Sequence, residues 1–179
     1  MSQFEKALMH VFGETIPKEQ EDKSLKRFIE LIRSAQKEVR VVAGELRSSF
    51  YNADLALVIR EKIHVNPDFQ ISFIYSKDPD IKKGIKKTEE ENKEMAAIFK
   101  APELSKNVTV YLATRRPKYH FSTVDNWIFL EQIHEKGAPR EVFIQENVKL
   151  AKEYNAIFDK MLLELDPPVV IKLNPTDFN

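Results

Sequence analysis

A short segment from Lys118 to Asp125 carries the side chains most able to do chemistry in this chain of 179 residues. It reads Lys-Tyr-His-Phe-Ser-Thr-Val-Asp, a pattern typical of a β-strand that ends in a turn. Because side chains alternate along a strand, Lys118, His120 and Ser122 share one face. A cation beside an imidazole suits a phosphate group, and the Asp125 carboxylate could curl back to orient the histidine ring.

Cleavage of a phosphodiester by a histidine makes three demands on such a site. It needs a neutral imidazole nitrogen aimed at phosphorus, an acid for the leaving oxygen, and cations for the equatorial oxygens. His120 is the candidate nucleophile and Lys118 a candidate clamp, and a second His120 from a symmetry-related copy could serve as the acid. Further donors that the fold could bring near are His134, Arg115, Arg116 and Arg140.

A second candidate anion clamp is Arg47, which comes directly after the first predicted strand of the main domain. Ligands bind at the carboxyl ends of strands in open α/β sheets. An exposed loop arginine with no ligand is the alternative for this residue, and a solvated edge strand is the alternative for Lys118 and His120. Glu131 and His134 could join His120 around a metal ion, but their spacing forms no tight ligand triplet. The sequence therefore predicts no metal and no cofactor.

Composition narrows the function classes. The 28 basic and 28 acidic residues cancel, so no overall positive field would hold nucleic acid or an anionic membrane, and any such binding must come from a local patch. The chain has no cysteine, which excludes disulfides and thiolate metal sites. There is no apolar run long enough to span a membrane and no signal-peptide pattern, so we expect no transmembrane segment and a cytoplasmic location.

Apolar periodicity switches repeatedly between about 3.6 and 2 residues, which predicts an α/β fold with a mixed β-sheet flanked by helices. We expect an N-terminal helix and linker over 1–23, a main domain over 24–166 and an extended tail over 167–179. Ser24 is a candidate cap for the first helix of the main domain. Lys77 to Lys87 is predicted to be a charged loop, and a capping box at Thr88 is predicted to start a helix through Phe99. Predicted strands cover 39–43, 70–75, 108–112, 119–124, 127–131 and 141–144.

This order of elements, with Lys118 to Asp125 leading into a hairpin and then a long terminal helix, resembles one half of the phospholipase D superfamily. The resemblance covers roughly residues 24–164. The local matches lie at 28–47, 118–125 and 141–163. The signature of that family, His-x-Lys-x-x-x-x-Asp, implies a histidine that attacks a phosphodiester and a lysine that holds phosphate oxygens. It also implies that two such half-sites meet across a pseudo-twofold or dimer axis.

The motif departs from that signature in both alignments. With Asp125 on the aspartate position, Lys118 takes the place of the histidine and His120 that of the lysine, so the two are swapped. With His120 on the histidine position, Ser122 falls on the lysine and Trp127 on the aspartate. A lysine displaced by two residues along a strand moves by roughly 6 to 7 Å, and active sites lose much of their rate to misplacements near 1 Å. Efficient hydrolysis is therefore not expected.

Three function classes follow. The first is a phosphate-binding recognition domain with a degenerate site, whose ligand is nucleic acid or phospholipid-like. The second is a metal-independent phosphodiesterase or nuclease that assembles as a homodimer with His120 as nucleophile. The third is a structural or protein-interaction domain, in which the apolar tail 169–173 is a dimer contact. As an edge strand, that tail could pair within the chain or with a second copy. The candidate ligand-binding residues beside Lys118, His120 and Asp125 are Arg47, Ser122, Glu131, His134 and Arg140.

Overall fold

A computed structural model of the chain describes residues 13–17, 19–117, 120–131, 141–163 and 170–178. The strands in this part of the chain are β1 (Glu14–Pro17), β2 (Glu38–Ala43), β3 (Gln70–Ser76), β4 (Val108–Ala113), β5 (His120–Val124), β6 (Trp127–Glu131), β7 (Glu141–Glu146) and β8 (Val170–Leu173). They form one 8-stranded sheet in the order β1-β7-β6-β5-β2-β3-β4-β8.

The sheet is parallel in its middle and antiparallel toward both edges. Strands β2, β3 and β4 run parallel, because a helical crossover connects each to the next. β5 adds to β2 in the opposite direction, and β6, β7 and β1 continue from it as an antiparallel ribbon. β8 closes the other edge, antiparallel to β4. The predicted mixed sheet of an α/β fold is confirmed.

Helices cover both faces of the sheet. Those in the described residues are α1 (Glu21–Ser34), α2 (Ala53–Val65), α3 (Ile81–Glu91), α4 (Lys93–Phe99) and α5 (Val148–Leu163), with short 3₁₀ turns at Pro102–Leu104 and Pro175–Asp177. Buried residues of α1 to α4 share the larger apolar cluster with one face of the sheet. On the other face, α5 packs Ala151, Tyr154 and Phe158 against a second cluster. None of the helices described is long and apolar enough to cross a membrane.

The first two helices differ in how they begin. α2 has a side-chain cap, because the Asn52 side chain accepts hydrogen bonds from the backbone N–H groups of Asp54 and Leu55. α1 starts at Glu21, and its N-cap residue Gln20 makes no side-chain capping bond. The prediction that Ser24 caps α1 is therefore wrong. Ser24 lies buried within the first turns of the helix. The helix extends toward the N-terminus into the segment predicted to be a linker.

The charged loop predicted over Lys77 to Lys87 is wrong, because most of that segment belongs to α3. Asp80 caps the helix by accepting a hydrogen bond from the Lys83 N–H. Thr88 does not start a helix but lies inside α3, where its hydroxyl donates to the Gly84 carbonyl at 2.8 Å. A glycine and a threonine occupy inward positions of α3, so its apolar stripe is too weak to detect from hydrophobicity alone.

Both ends of the described chain add strands to the same sheet. β1 pairs with β7 and buries Ile16 completely, where the sequence had predicted only the end of a helix and a linker. β8 pairs with β4 of its own chain, which is the intramolecular alternative for the tail. The N-terminal helix predicted within 1–23 falls in residues 1–12, which lie outside the described residues.

Candidate functional site

A cavity of about 150 Å³ opens where the end of β2 meets the start of β5. The two strands are antiparallel with Val42 opposite Phe121, so His120 lies beside the carboxyl end of β2. This is the edge at which open α/β sheets bind ligands. The charged and polar side chains that line the cavity include Glu21, Arg47, Arg116, His120, Ser122 and Glu131.

His120 lies between a carboxylate and a glycine. It is opposite Glu131 in the β5–β6 ladder, and its Nδ1 is 3.9 Å from Glu131 Oε2, with 16% of the histidine side chain and 25% of the glutamate side chain exposed. The two groups form an ion pair only when the imidazole is protonated, and 3.9 Å is too long for a direct hydrogen bond between these two atoms. The Nε2 edge of the ring faces Gly44, where an added Cβ would collide with the ring and lie 2.6 Å from Arg116 Nε. Gly44 is thus needed for the close approach of backbone, imidazole and guanidinium.

Ser122 lies on the same strand face as His120 and also lines the cavity. It is 5% exposed and is flanked in the sheet by Val41 on β2 and Phe129 on β6. The alternation of side chains along β5 thus brings an imidazole and a hydroxyl to the cavity wall.

Arg47 reaches the cavity from the loop after β2, but a carboxylate accompanies it. Its Nη1 lies 3.6 Å from Glu21 Oε2 at the start of α1, and the other oxygen of Glu21 accepts a 2.6 Å hydrogen bond from the Ser49 hydroxyl. The positive charge of Arg47 is therefore partly balanced. Arg116 is exposed and lies at the cavity beside Gly44.

The expected role of Asp125 in orienting His120 is wrong. Asp125 occupies the hairpin turn at the opposite end of β5, and five strand positions span roughly 16 Å. Its carboxylate accepts backbone hydrogen bonds from Gln36 at 2.6 Å, Lys37 at 3.0 Å and Glu38 at 2.9 Å. Asp125 therefore holds the segment that leads from α1 into β2. The predicted two-residue hairpin turn itself is confirmed, since Val124 pairs with Trp127.

Three predicted site residues, Lys118, His134 and Arg140, lie outside the described residues, and their roles remain predictions. Within the ranges that the structure describes, no group of three or more histidine, aspartate or glutamate side chains is placed to hold a metal ion.

Sequence reasoning missed several parts of the site. Glu21, Ser24, Gly44 and Tyr51 line the cavity together with the predicted residues. Burial raises the pKa of the Tyr51 hydroxyl, the neighbouring Glu131 raises it further, and Arg47 opposes both. Tyr51 is therefore a protonated hydrogen-bond donor at neutral pH. The glycine directly after a buried strand was the one signal in the sequence that could have indicated a close backbone approach.

An ion cluster around the shielded side chain of Lys77 holds the loop behind Gly44. The side chain of Lys77 is only 4% exposed and pairs with Glu45 at 3.1 Å and Glu91 at 2.6 Å. Burial alone would lower the pKa of Lys77, but the hydrogen bonds to Glu91 and Glu45 raise it above its ordinary value. The cluster ties the end of β2 to the end of β3 and the end of α3.

Comparison with known proteins finds similarity in structure only. No protein-family model matches the sequence, and no curated protein matches it significantly. Among solved structures, the chain is similar to NucT from Helicobacter pylori, with a TM-score of 0.56 and 16% identity over 84% of this chain and 94% of NucT. It is similar to phosphatidylserine synthase from Haemophilus influenzae Rd KW20, with a TM-score of 0.56 and 13% identity over 95% of this chain and 43% of the synthase.

A third similar structure is TrmBL2, an archaeal chromatin protein, with a TM-score of 0.61 and 9% identity over 85% of this chain and 53% of TrmBL2. The chain thus spans about half of TrmBL2 and less than half of the synthase. At these identities the likeness concerns the fold alone. The sheet order, the helices on both faces and these structural neighbours together establish that the chain has a phospholipase D-like fold.

Proposed function

We propose that this chain is a phospholipase D-like domain with a degenerate active site, which binds a phosphate-bearing ligand in the His120 cavity without efficient hydrolysis. The observation that carries the proposal is that His120, Ser122 and Arg116 line one cavity at the carboxyl end of β2. An imidazole, a hydroxyl and a guanidinium together supply donors for the oxygens of a phosphate.

Weak hydrolysis is expected because of the residues that surround His120. When His120 is aligned with the histidine of the phospholipase D signature, Ser122 falls on the position of its lysine. A neutral hydroxyl can donate a hydrogen bond to an equatorial oxygen but brings no positive charge to the phosphate. Arg47 is partly neutralised by Glu21, which leaves Arg116 as the main cation for the phosphate among the described cavity residues. Binding needs fewer cations than catalysis does.

The ligand class is proposed from the structural neighbours. TrmBL2 is a chromatin protein that binds DNA, and phosphatidylserine synthase is named for a phospholipid. Both ligand types present phosphodiesters. With a net charge of zero, this chain would hold either one through the local site and not through an overall field.

Direct titration tests the proposal. Binding of inorganic phosphate, a fluorescein-labelled single-stranded oligonucleotide and vesicles containing an anionic phospholipid would be measured for the wild type, His120→Ala and Arg116→Ala. We expect about tenfold weaker binding in each variant, the effect of one charge-assisted hydrogen bond. Arg115→Ala is the matched control, because Arg115 is an exposed neighbour of Arg116 and is not needed for the proposed site. Binding that is unchanged by His120→Ala would remove the proposal.

A second candidate is a phosphodiesterase assembled from two chains, with His120 as nucleophile. It is favoured by the arrangement of the ring, because Glu131 lies near Nδ1 while Nε2 faces Gly44 and Arg116. A carboxylate on that side would support attack from the other nitrogen. Hydrolysis of bis(p-nitrophenyl) phosphate with EDTA present, abolished by His120→Ala and accompanied by a dimer in sedimentation, would favour this candidate. Hydrolysis that is absent, or that survives His120→Ala, would exclude it.

A further inference from the structure

One wall of the His120 cavity contains a buried hydroxyl that is not satisfied. Ser24 is 2% exposed and lines the cavity, and its Oγ has no hydrogen-bond partner among the described residues. A serine in a helix can bond back to the carbonyl four residues earlier, but this one does not. Leaving a buried hydroxyl unpaired costs free energy, so such groups in native proteins generally meet a water or a ligand.

The groups around Ser24 differ from those beside His120. Glu21 lies one turn earlier on the same face of α1, and its carboxylate keeps lone pairs beyond the Ser49 hydrogen bond and the 3.6 Å contact to Arg47. Tyr51 adds a protonated hydroxyl to the same cavity. A carboxylate that lines the same cavity wall as two hydroxyls makes a poor site for a second phosphate, because the negative charges would repel. It is a good site for the hydroxyl groups of a ligand, since carboxylates accept hydrogen bonds from sugar hydroxyls.

Apolar side chains complete this part of the cavity. Phe50, Phe129 and Val142 line it and are 8%, 7% and 6% exposed. Apolar faces suit the C–H surface of a carbon skeleton, while the polar groups fix its hydroxyls, the usual composition of a small-molecule pocket.

We propose that the cavity selects a hydroxylated organic phosphate, that is, a sugar or polyol phosphate. The phosphate lies at the His120 and Arg116 end, and the hydroxyl-bearing carbon skeleton lies against Ser24, Glu21 and Tyr51. This inference rests on the proposed function, and it adds which class of phosphate-bearing ligand the cavity selects. Ser24 is the specificity-determining residue, because its buried hydroxyl has no partner among the described residues and gains one from the skeleton of such a ligand.

Calorimetric titration of the full chain with three probes tests the inference. Methyl phosphate carries no hydroxylated skeleton, sn-glycerol 3-phosphate represents a lipid headgroup, and D-ribose 5-phosphate represents a nucleotide. At least one of the two hydroxylated probes should bind about tenfold more tightly than methyl phosphate, the effect of one or two buried hydrogen bonds. The tighter of the two identifies the source of the ligand.

Variants separate specificity from phosphate binding. Ser24→Ala should reduce the preference for the hydroxylated probe to about threefold or less and leave the affinity for methyl phosphate unchanged. Ser34→Ala is the matched control, because Ser34 lies at the far end of α1 and its hydroxyl donates to the Leu31 carbonyl. Tyr51→Phe, which removes the other hydroxyl, should also reduce the preference and decides the matter if Ser24→Ala does not fold.

The two proposals fail in different ways. If all three probes bind equally and His120→Ala weakens them all, the polyol site is refuted while the proposed phosphate site stands. If the preference exists but neither Ser24→Ala nor Tyr51→Phe changes it, the assignment of the skeleton to this wall is refuted. If none of the three probes binds, the polyol site is refuted, and the titrations with inorganic phosphate, the oligonucleotide and the vesicles decide the proposed function.

Discussion

At the scale of single residues, Gly44 governs the geometry of the proposed site. The backbone at the end of β2 approaches the imidazole of His120 so closely that a Cβ would overlap the ring. The same Cβ would lie 2.6 Å from Arg116 Nε, so both donors for a phosphate depend on the absence of one methyl group. A glycine is needed at this position because it has no Cβ, and its backbone flexibility alone would not explain its presence.

Gly44→Ala should therefore displace His120 and Arg116 and weaken phosphate binding by about tenfold, with folding retained. Calorimetric titration with inorganic phosphate measures the first effect and circular dichroism the second. Gly84→Ala is the control, because Gly84 lies in α3 and its added Cβ would meet the end of the Leu112 side chain at 2.9 Å. Equal affinities in the wild type and Gly44→Ala would contradict the described geometry.

Asp125 has a structural role that can be separated from binding. Its carboxylate accepts three backbone hydrogen bonds from the segment before β2. Asp125→Asn keeps a residue that tolerates the left-handed backbone (φ 49°) but reduces the accepting capacity. We expect a loss of about 1 to 2 kcal/mol in the free energy of unfolding, read from urea denaturation. The affinity for phosphate should not change, and a variant of normal stability that binds poorly would restore the role that the sequence had suggested.

Strand alternation was enough to place His120 and Ser122 on one face, since that depends only on neighbours in the chain. The contribution of Gly44, Tyr51 and Ser24 could not be predicted, because it depends on how the β2–α2 loop and α1 meet β5. The error at Asp125 has the same origin. Its side chain binds the start of β2, 87 to 89 residues away in sequence, and no local pattern encodes that contact.

At the scale of elements, β8 and the turn after it form an integral edge of the sheet. Leu173 and Phe178 are buried, and the ring of Phe178 lies 5.8 Å from that of Phe99 on α4. A tail that packs in this way stabilises its own domain. Its apolar, β-branched composition predicted a strand but could not tell an intramolecular partner from a second copy.

Phe178→Ala should lower the free energy of unfolding by about 3 kcal/mol, the usual cost of emptying the space of a buried phenylalanine. Leu57→Ala is the control, because Leu57 is 55% exposed on α2 and its loss should cost far less. Urea denaturation of both variants is the measurement. A stability loss near zero for Phe178→Ala would show that the tail is not docked on its own chain.

At the scale of the whole molecule, the sequence predicted the order of helices and strands better than the way they assemble. Alternating periodicities predicted the α/β class and six of the strands, because those elements bury regular apolar faces. The placement of β1 beside β7 was not predictable, since a strand of four residues carries little pattern. α3 escaped detection for the related reason that its inward face contains Gly84 and Thr88.

Two ion clusters predict how the stability of the fold depends on pH. In one, Lys77 pairs with Glu45 and Glu91, and in the other, Lys87 pairs with Asp78. A hydrogen bond from Lys77 lowers the pKa of Glu91, and one from Lys87 lowers the pKa of Asp78. A carboxylate whose folded pKa is depressed stabilises the fold at pH values above its unfolded pKa, and this contribution is lost as pH falls through the folded value. The clusters should therefore stabilise the fold at neutral pH, and this contribution should decline as the pH falls below the ordinary pKa of a carboxyl group, near pH 4.

Lys77→Met tests this linkage. It removes the cation but keeps most of the side-chain volume, so the variant should be less stable than the wild type at pH 7, and the difference should shrink as the pH falls below about 4. Thermal melts across the acid range measure this. Lys86→Met is the control, because Lys86 is 77% exposed and only 3.8 Å from Glu90, a surface pair of little weight. A difference that stays constant from pH 7 to pH 3 would contradict the proposed linkage.

The proposals for this molecule all require that the cavity at the end of β2 holds a phosphate between His120 and Arg116. A crystal structure of the chain grown with tungstate would locate the anion, because tungstate is a phosphate analogue whose metal atom gives a strong anomalous signal. We expect one oxyanion with oxygens about 3 Å from His120 Nε2 and from the Arg116 guanidinium. Density for the anion only at other surfaces, with the cavity filled by water, would refute this placement.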